Sequence, residues 1–253
     1  MFSERFVRKE NPKDTEEDAY KDADPTQYSP LPLEGSISHG SVPVEIGSRN
    51  TITVDGETYV EILRDAHPKK QQVIALLTKG IVPVADVVEH RDFPSKRYSK
   101  MMPHERIESE STMDDARAYA EFMWLIFSDY DHRASEALTR NVRIEDGKTS
   151  LYDFELASLE GTPHSLKYGE DKYPKAVLEK TLPLIQAFAK RIEGEVGRTY
   201  IESVLRHAGA AVGDLLPARN ANVEDVQEVL RGRANRAELI VRGALRDQDV
   251  GES

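Results

Sequence analysis

The sequence predicts an α+β protein in two lobes, a small antiparallel sheet followed by a helix-rich half. Three observations carry that prediction. "VPVEI" (42–46), "NTITV" (50–54) and "ETYVEIL" (57–63) are β-prone runs joined by the turn signals "GSR" and "DG", an antiparallel meander. A second Asp-Gly hairpin signal, Asp146-Gly147, sits between "ALTRNVRI" and "KTSLYDF". Beyond Phe154 the apolar residues recur at helical spacing almost to the C-terminus. Runs of strands followed by runs of helices specify α+β layers.

Each element follows from local chemistry. Residues 1–34 hold nine acidic and five basic side chains and four prolines (12, 25, 30 and 32), too few apolar groups for a core, and read as a disordered acidic leader. The first lobe spans 35–104. After the meander, "HPKKQQVIALLTKG" (67–80) is a helix with Val73, Ile74 and Leu77 on one face and Gly80 as its stop. "IVPVADVVEH" and "RYSKMM" are two further strands about a turn at "RDFPSK". The second lobe spans 105–218. It opens with a buried helix over 111–127, started by a Thr112-x-x-Asp115 capping pattern, and its Met and aromatic stripe reads as core. The hairpin follows, then "YPKAVLEKTLPLIQAFAKRIEG", kinked or broken at Pro183, then a helix over 199–216. A C-terminal helix and tail fill 219–253, with Asn222 as N-cap.

Composition limits the function. A net charge of −11 and a pI near 5.2 argue against binding nucleic acid or anionic membrane. No cysteine is present, which excludes disulfides and thiolate metal sites and fits a reducing cytoplasm. The N-terminus has no apolar signal segment, and the longest apolar run, "FMWLIF", is too short to span a bilayer. A cytoplasmic protein without membrane contact is expected.

The chemistry concentrates in "DYDHRASEALTRNVRIEDGKTSLYDF" (129–154), where a hairpin returns one set of carboxylates toward another. Paired carboxylates of this kind hold a divalent cation beside a phosphate. Asp131-His132-Arg133-Ala134-Ser135-Glu136 follows the buried helix, and Asp153-Phe154-Glu155 lies 22 residues after Asp131 at the hairpin's exit. Upstream, Gly47-Ser48-Arg49-Asn50 stands at the first meander turn, and "YSKMMPHERI" stands between the lobes. Over about residues 40–190 this order resembles the kinase-like fold, nearest to its aminoglycoside/choline phosphotransferase-like branch. The resemblance implies an ATP- and Mg²⁺-dependent phosphotransferase acting on a small-molecule or protein hydroxyl. It implies Asp131 as catalytic base and Glu136 and Asp153 as metal ligands. Gly47, Ser48, Arg49 and Asn50 would bind nucleotide phosphates, with Arg64 as the nearest cation.

The sequence departs from that pattern at several positions. Glu136 replaces the family's Asn, and Glu61 or Ile62 stands where its strand Lys belongs. Gln71 or Gln72 replaces the helix Glu that pairs with that Lys. Glu61 reads as a solvated carboxylate, with an inverted pair to Lys69 or Lys70 as the alternative. Loss of a phosphate-clamping cation makes a catalytically impaired pseudokinase, a binding or regulatory module, the first rival reading. The second is an Asp-x-Asp phosphatase, from "LIFSDYDHR", with Asp129 as nucleophile and Asp131 as acid/base. "HRDF" (90–93) spells a kinase tripeptide, but it precedes the inter-lobe segment and reads as a surface turn. Arg231, Arg233, Arg236, Arg242 and Arg246 read as a solvated face of the last helix.

Overall fold

The computed structural model describes residues 45–46, 51–54, 56–63, 67–85, 87–90, 93–100, 110–129, 142–145, 148–151, 154, 157–160, 165–166 and 173–251. The acidic leader lies outside them. The fold is α+β, as the patterning predicts. A five-stranded sheet is built from β1 (Glu45–Ile46), β2 (Thr51–Val54), β3 (Glu57–Ile62), β4 (Val87–His90) and β5 (Phe93–Lys100). Its order is β1-β2-β3-β5-β4, every pair antiparallel. Val54 pairs with Glu57, and Gly56 takes the left-handed φ of 81° that a two-residue hairpin turn demands.

Helix α1 (Pro68–Thr78) is inserted between β3 and β4. Proline at its first position costs no hydrogen bond there, and Gly80 (φ 75°) ends the turn beyond it. Strand β5 begins earlier than predicted, because His90 pairs with Phe93 and leaves only Arg91 and Asp92 between them. Pro94 is tolerated there because β3 has already ended: its last pair with β5 is Ile62 with Arg97.

Helix α2 (Glu110–Phe127) starts ahead of Thr112, so that residue lies inside the helix rather than capping it. The Asp-Gly hairpin forms as predicted from β6 (Val142–Glu145) and β7 (Lys148–Leu151), with Glu145 opposite Lys148. Helix α3 (Lys175–Arg191) runs unbroken through Pro183. Pro183 and Glu179, the residue whose carbonyl a proline at 183 leaves without its helical donor, are both exposed, so the cost of the proline falls on the water-facing side of the helix. Helix α4 (Gly194–His207) starts five residues before the predicted position (199 − 194) and ends at His207. Helix α5 (Val223–Gly251) extends to Gly251. Asn222 and Asp225 cap it reciprocally: Asn222 Oδ1 accepts from the Asp225 amide (3.1 Å) and Asp225 Oδ2 from the Asn222 amide (2.7 Å).

The core centres on α2, packed against α3, α5 and β7. Phe122, Phe127 and Phe188 meet edge to face at 5.6–6.5 Å. Among the described residues, no helix is long and apolar enough to cross a membrane.

Candidate functional site

Two consecutive glutamines on α1 hold the junction between the sheet and the hairpin. Gln71 and Gln72 are 3% and 1% exposed, so their amides need partners. Gln72 Oε1 accepts from Arg97 Nε on β5 at 2.9 Å, and its amide nitrogen donates to the Val87 carbonyl on β4 at 3.5 Å. Gln71, a helical step around, accepts from the Phe154 amide at 3.4 Å. One turn of α1 thus reads the sheet with one residue and the hairpin's exit with the next.

The hairpin is fixed a second time by its backbone. Leu151 donates to the Pro83 carbonyl and accepts from the Ala85 amide, both at 2.8 Å, so β7 docks on the segment that leads into β4. Leu151 and Phe154 are both buried. Asp153 lies between two pinned residues in the chain, although it is itself outside the described residues. The same holds for Gly47, Ser48, Arg49, Asn50, Arg64, Asp131 and Glu136.

The α2 side is also constrained. Ser128 takes a left-handed φ of 50°, uncommon for a residue with a Cβ, and turns the chain off the helix. The Ser128 amide bonds the Trp124 carbonyl (2.9 Å), and the Asp129 amide bonds that of Met123 (3.4 Å). Asp129 is fully buried, two residues before Asp131. The Ser158 amide bonds the Phe127 carbonyl at 2.5 Å, which brings the chain after the hairpin back to the end of α2.

The charged groups depart from the sequence reading. Glu61 is neither solvated nor paired with Lys69 or Lys70: its carboxylate accepts from Lys96 Nζ at 2.8 Å. The register explains this. Glu61 sits opposite Tyr98, which makes Lys96 its diagonal neighbour on the same face of the sheet. Arg97 faces the other way, toward α1, nearly buried, with Glu89 at 3.1 Å and Gln72 beside it. Burial pushes the Tyr98 hydroxyl above its ordinary pKa; Lys96 opposes that shift and Glu61 adds to it.

Arg233 is the largest departure from the expected solvated face. It is 4% exposed and donates to the carbonyls of Ile126 (2.8 Å), Ser158 (2.9 Å) and Glu160 (3.1 Å) and to Ser128 Oγ (3.0 Å). Burial pushes its guanidinium down to about 10, so it remains a cation at neutral pH. The sequence carried a usable signal for this. Val226, Leu230, Arg233, Ala237, Val241 and Ala244 form one helical stripe, and the arginine sits inside it. A shallow open groove of about 330 Å³ lies between α3 and α5, lined by residues including Gln186, Lys190, Arg231 and Asn235. It shares no residue with the α1–Phe154 junction.

Among the described residues, no group of three His, Asp or Glu side chains is placed to hold a metal. The proposed ligands Glu136 and Asp153 are oxygen donors, the chemistry a hard divalent cation takes. No protein-family model, curated protein or solved structure matches the chain.

Proposed function

We propose that the chain is an atypical kinase-like phosphotransferase that binds ATP and Mg²⁺ between the sheet–α1 layer and the β6–β7 hairpin. One observation carries the reading: the Phe154 amide, next to Asp153, bonds Gln71 of α1 across 83 positions of sequence. A metal-binding carboxylate at the floor of a two-lobed cleft needs such a link between the first-lobe helix and the hairpin's exit. The insertion of α1 between β3 and β4 of an antiparallel sheet supports the same plan.

In this reading Asp131 accepts the proton of the attacking hydroxyl. Glu136 and Asp153 would hold Mg²⁺, which neutralises charge on the phosphates when bound. Backbone amides over Gly47–Asn50 would hold phosphate oxygens, and Arg64 would add a cationic contact. The substrate is a small-molecule alcohol or a protein Ser/Thr. An ATP-dependent reaction fits the cytoplasmic location expected from the cysteine-free sequence.

A second reading, a nucleotide-binding pseudokinase, is favoured by the cations. Lys96 is engaged by Glu61 and Arg97 by Glu89, so these two cations of β5 already face carboxylates. Phosphoryl transfer without a dedicated cation would be slow. The phosphatase reading draws no such support. Its nucleophile, Asp129, is fully buried, and Leu125–Phe127 before it are helix rather than strand.

Thermal unfolding with ATP, with and without Mg²⁺, on wild type and Asp153→Ala is the test. A Mg²⁺-dependent rise in Tm that the variant loses is the expected result, because a ligand bound only to the native state raises the midpoint. The absence of any rise at saturating ATP refutes the nucleotide site. Loss of γ-phosphate release in Asp131→Asn with binding intact then separates the phosphotransferase from the pseudokinase.

A further inference from the structure

We propose that Arg233 is a positioning residue that fixes both ends of the chain segment carrying Asp131, Glu136 and Asp153, so that the C-terminal helix governs Mg²⁺-dependent nucleotide binding. The functional half of this inference rests on the kinase-like reading; the structural half stands without it. Two acceptors of Arg233, Ile126 O and Ser128 Oγ, lie where α2 ends. The other two, Ser158 O and Glu160 O, lie just after the segment returns. One guanidinium on α5 therefore bonds both the end of α2 and the segment 158–160. The Ser158–Phe127 backbone bond joins the same two ends, and Ser128, whose hydroxyl accepts from the guanidinium, takes the left-handed turn.

The choice of residue argues for position rather than bulk. The neighbours of Arg233 on its stripe are Val226, Leu230, Ala237 and Val241, all buried. An apolar side chain at 233 would match them without the cost of desolvating a charge. Such a side chain would donate nothing, and the carbonyls at the two ends would lose a common partner. A lysine offers one nitrogen, whereas Arg233 reaches Ile126, Ser128 and Ser158 through Nη1 and adds Glu160 through Nη2 of the same rigid planar fork.

The test uses the full chain with Arg233→Lys, Arg233→Gln and Ser128→Ala. Hydrogen exchange is read at the amides of Ser128, Asp129 and Ser158, against Ile185 and Phe188 in α3 as internal reference. ATP affinity is measured by calorimetry with and without Mg²⁺. Arg233→Gln is expected to speed exchange at the three amides by roughly tenfold or more while α3 is unchanged, the loss of charge-assisted bonds being of that size. The Mg²⁺-dependent gain in ATP affinity falls by about the same factor, and binding of ATP alone does not move. Arg233→Lys falls between wild type and Arg233→Gln, and Ser128→Ala gives a weaker form of the same pattern. If Arg233→Gln does not fold, the two milder variants carry the test. Equal acceleration in α3, unchanged amides in a folded variant, or locally loosened amides with wild-type Mg²⁺ dependence each overturn the proposal. A wild type that binds no Mg·ATP refutes the phosphotransferase reading and the functional half with it; the exchange measurement still decides whether Arg233 fixes the two ends.

Discussion

Gly197→Ala is expected to destabilise the protein markedly, whereas the same change at Gly232 stabilises it. A Cβ built on Gly197 would lie 2.1 Å from the Ile192 carbonyl carbon and 2.3 Å from its oxygen. Both atoms are backbone, so no flexible side chain can swing aside. Restoring even a tight 3.0 Å contact requires α4 to retreat by 0.9 Å (3.0 − 2.1) from the end of α3. Overpacking of this kind costs up to about 3 kcal/mol, and the helix preference of Ala over Gly offsets at most about 1. The net loss is about 2–3 kcal/mol, or roughly 5–10 °C in Tm for a chain of this size. Gly232 has nothing within 4 Å of its Cβ position and lies within α5, so Ala there gains about 0.4–1 kcal/mol, mostly by narrowing the unfolded ensemble. Urea unfolding of both variants decides the matter. A Gly197→Ala variant within 0.5 kcal/mol of wild type, or equal effects at the two sites, would refute the close approach of α3 and α4.

Four further outcomes are expected. Reversing both charges, Glu61→Lys with Lys96→Glu, restores the Tm lost by either single change, and Glu61→Lys with Lys69→Glu does not; a thermal double-mutant cycle reads this. Burial and then Lys79 hold the His207 pKa below its usual value, so unfolded chains bind protons more readily than folded ones. Stability is therefore full above the unfolded value near 6.5 and falls as pH drops toward the folded value, and His207→Gln flattens that acid limb in a denaturation series from pH 8 to 5. Asn222→Ala removes half of the reciprocal cap on α5 and costs about 1 kcal/mol in urea unfolding. Gln71→Leu removes the hydrogen bond between the Phe154 amide and α1, lowers stability by about 1 kcal/mol, and weakens the Mg²⁺-dependent Tm rise with ATP.

The elements visible in the sequence are those whose chemistry is local. Both Asp-Gly hairpins form because turn geometry is decided by two residues. Pro68 and Gly80 bracket α1 for the same reason, and Asn222 starts α5 where its side chain can reach its own backbone. The misplaced boundaries had competing local signals. The glycines at 194 and 197 conceal the first turn of α4, although Gly197 is there for a steric reason that only the approach of Ile192 reveals. The proline in β5 suggests a turn until the register shows that its β3 neighbour has ended.

The residues that organise the candidate site were hidden for a different reason: most of their partners are main-chain oxygens. Gln72 reaches the Val87 carbonyl, Tyr200 that of Leu76 and Arg191 those of Leu77 and Lys79, while Arg233 spans three carbonyls and one hydroxyl. A side-chain pair leaves complementary residue types at both ends, which a sequence can suggest. A side chain bonded to a carbonyl leaves a trace at one end only, because every residue has a carbonyl. Gln71 is the mirror case, a side-chain acceptor for the Phe154 amide. The bonds to Leu76, Leu77 and Lys79 brace the end of α1 from α3 and α4, Gln71 ties its start to the hairpin, and Arg233 ties the hairpin's base to α5. The end of α1, the exit of the hairpin at Phe154 and the end of α2 are therefore held by elements on both sides of the chain's midpoint, and a disturbance in α4 or α5 should reach them through backbone position rather than through charge.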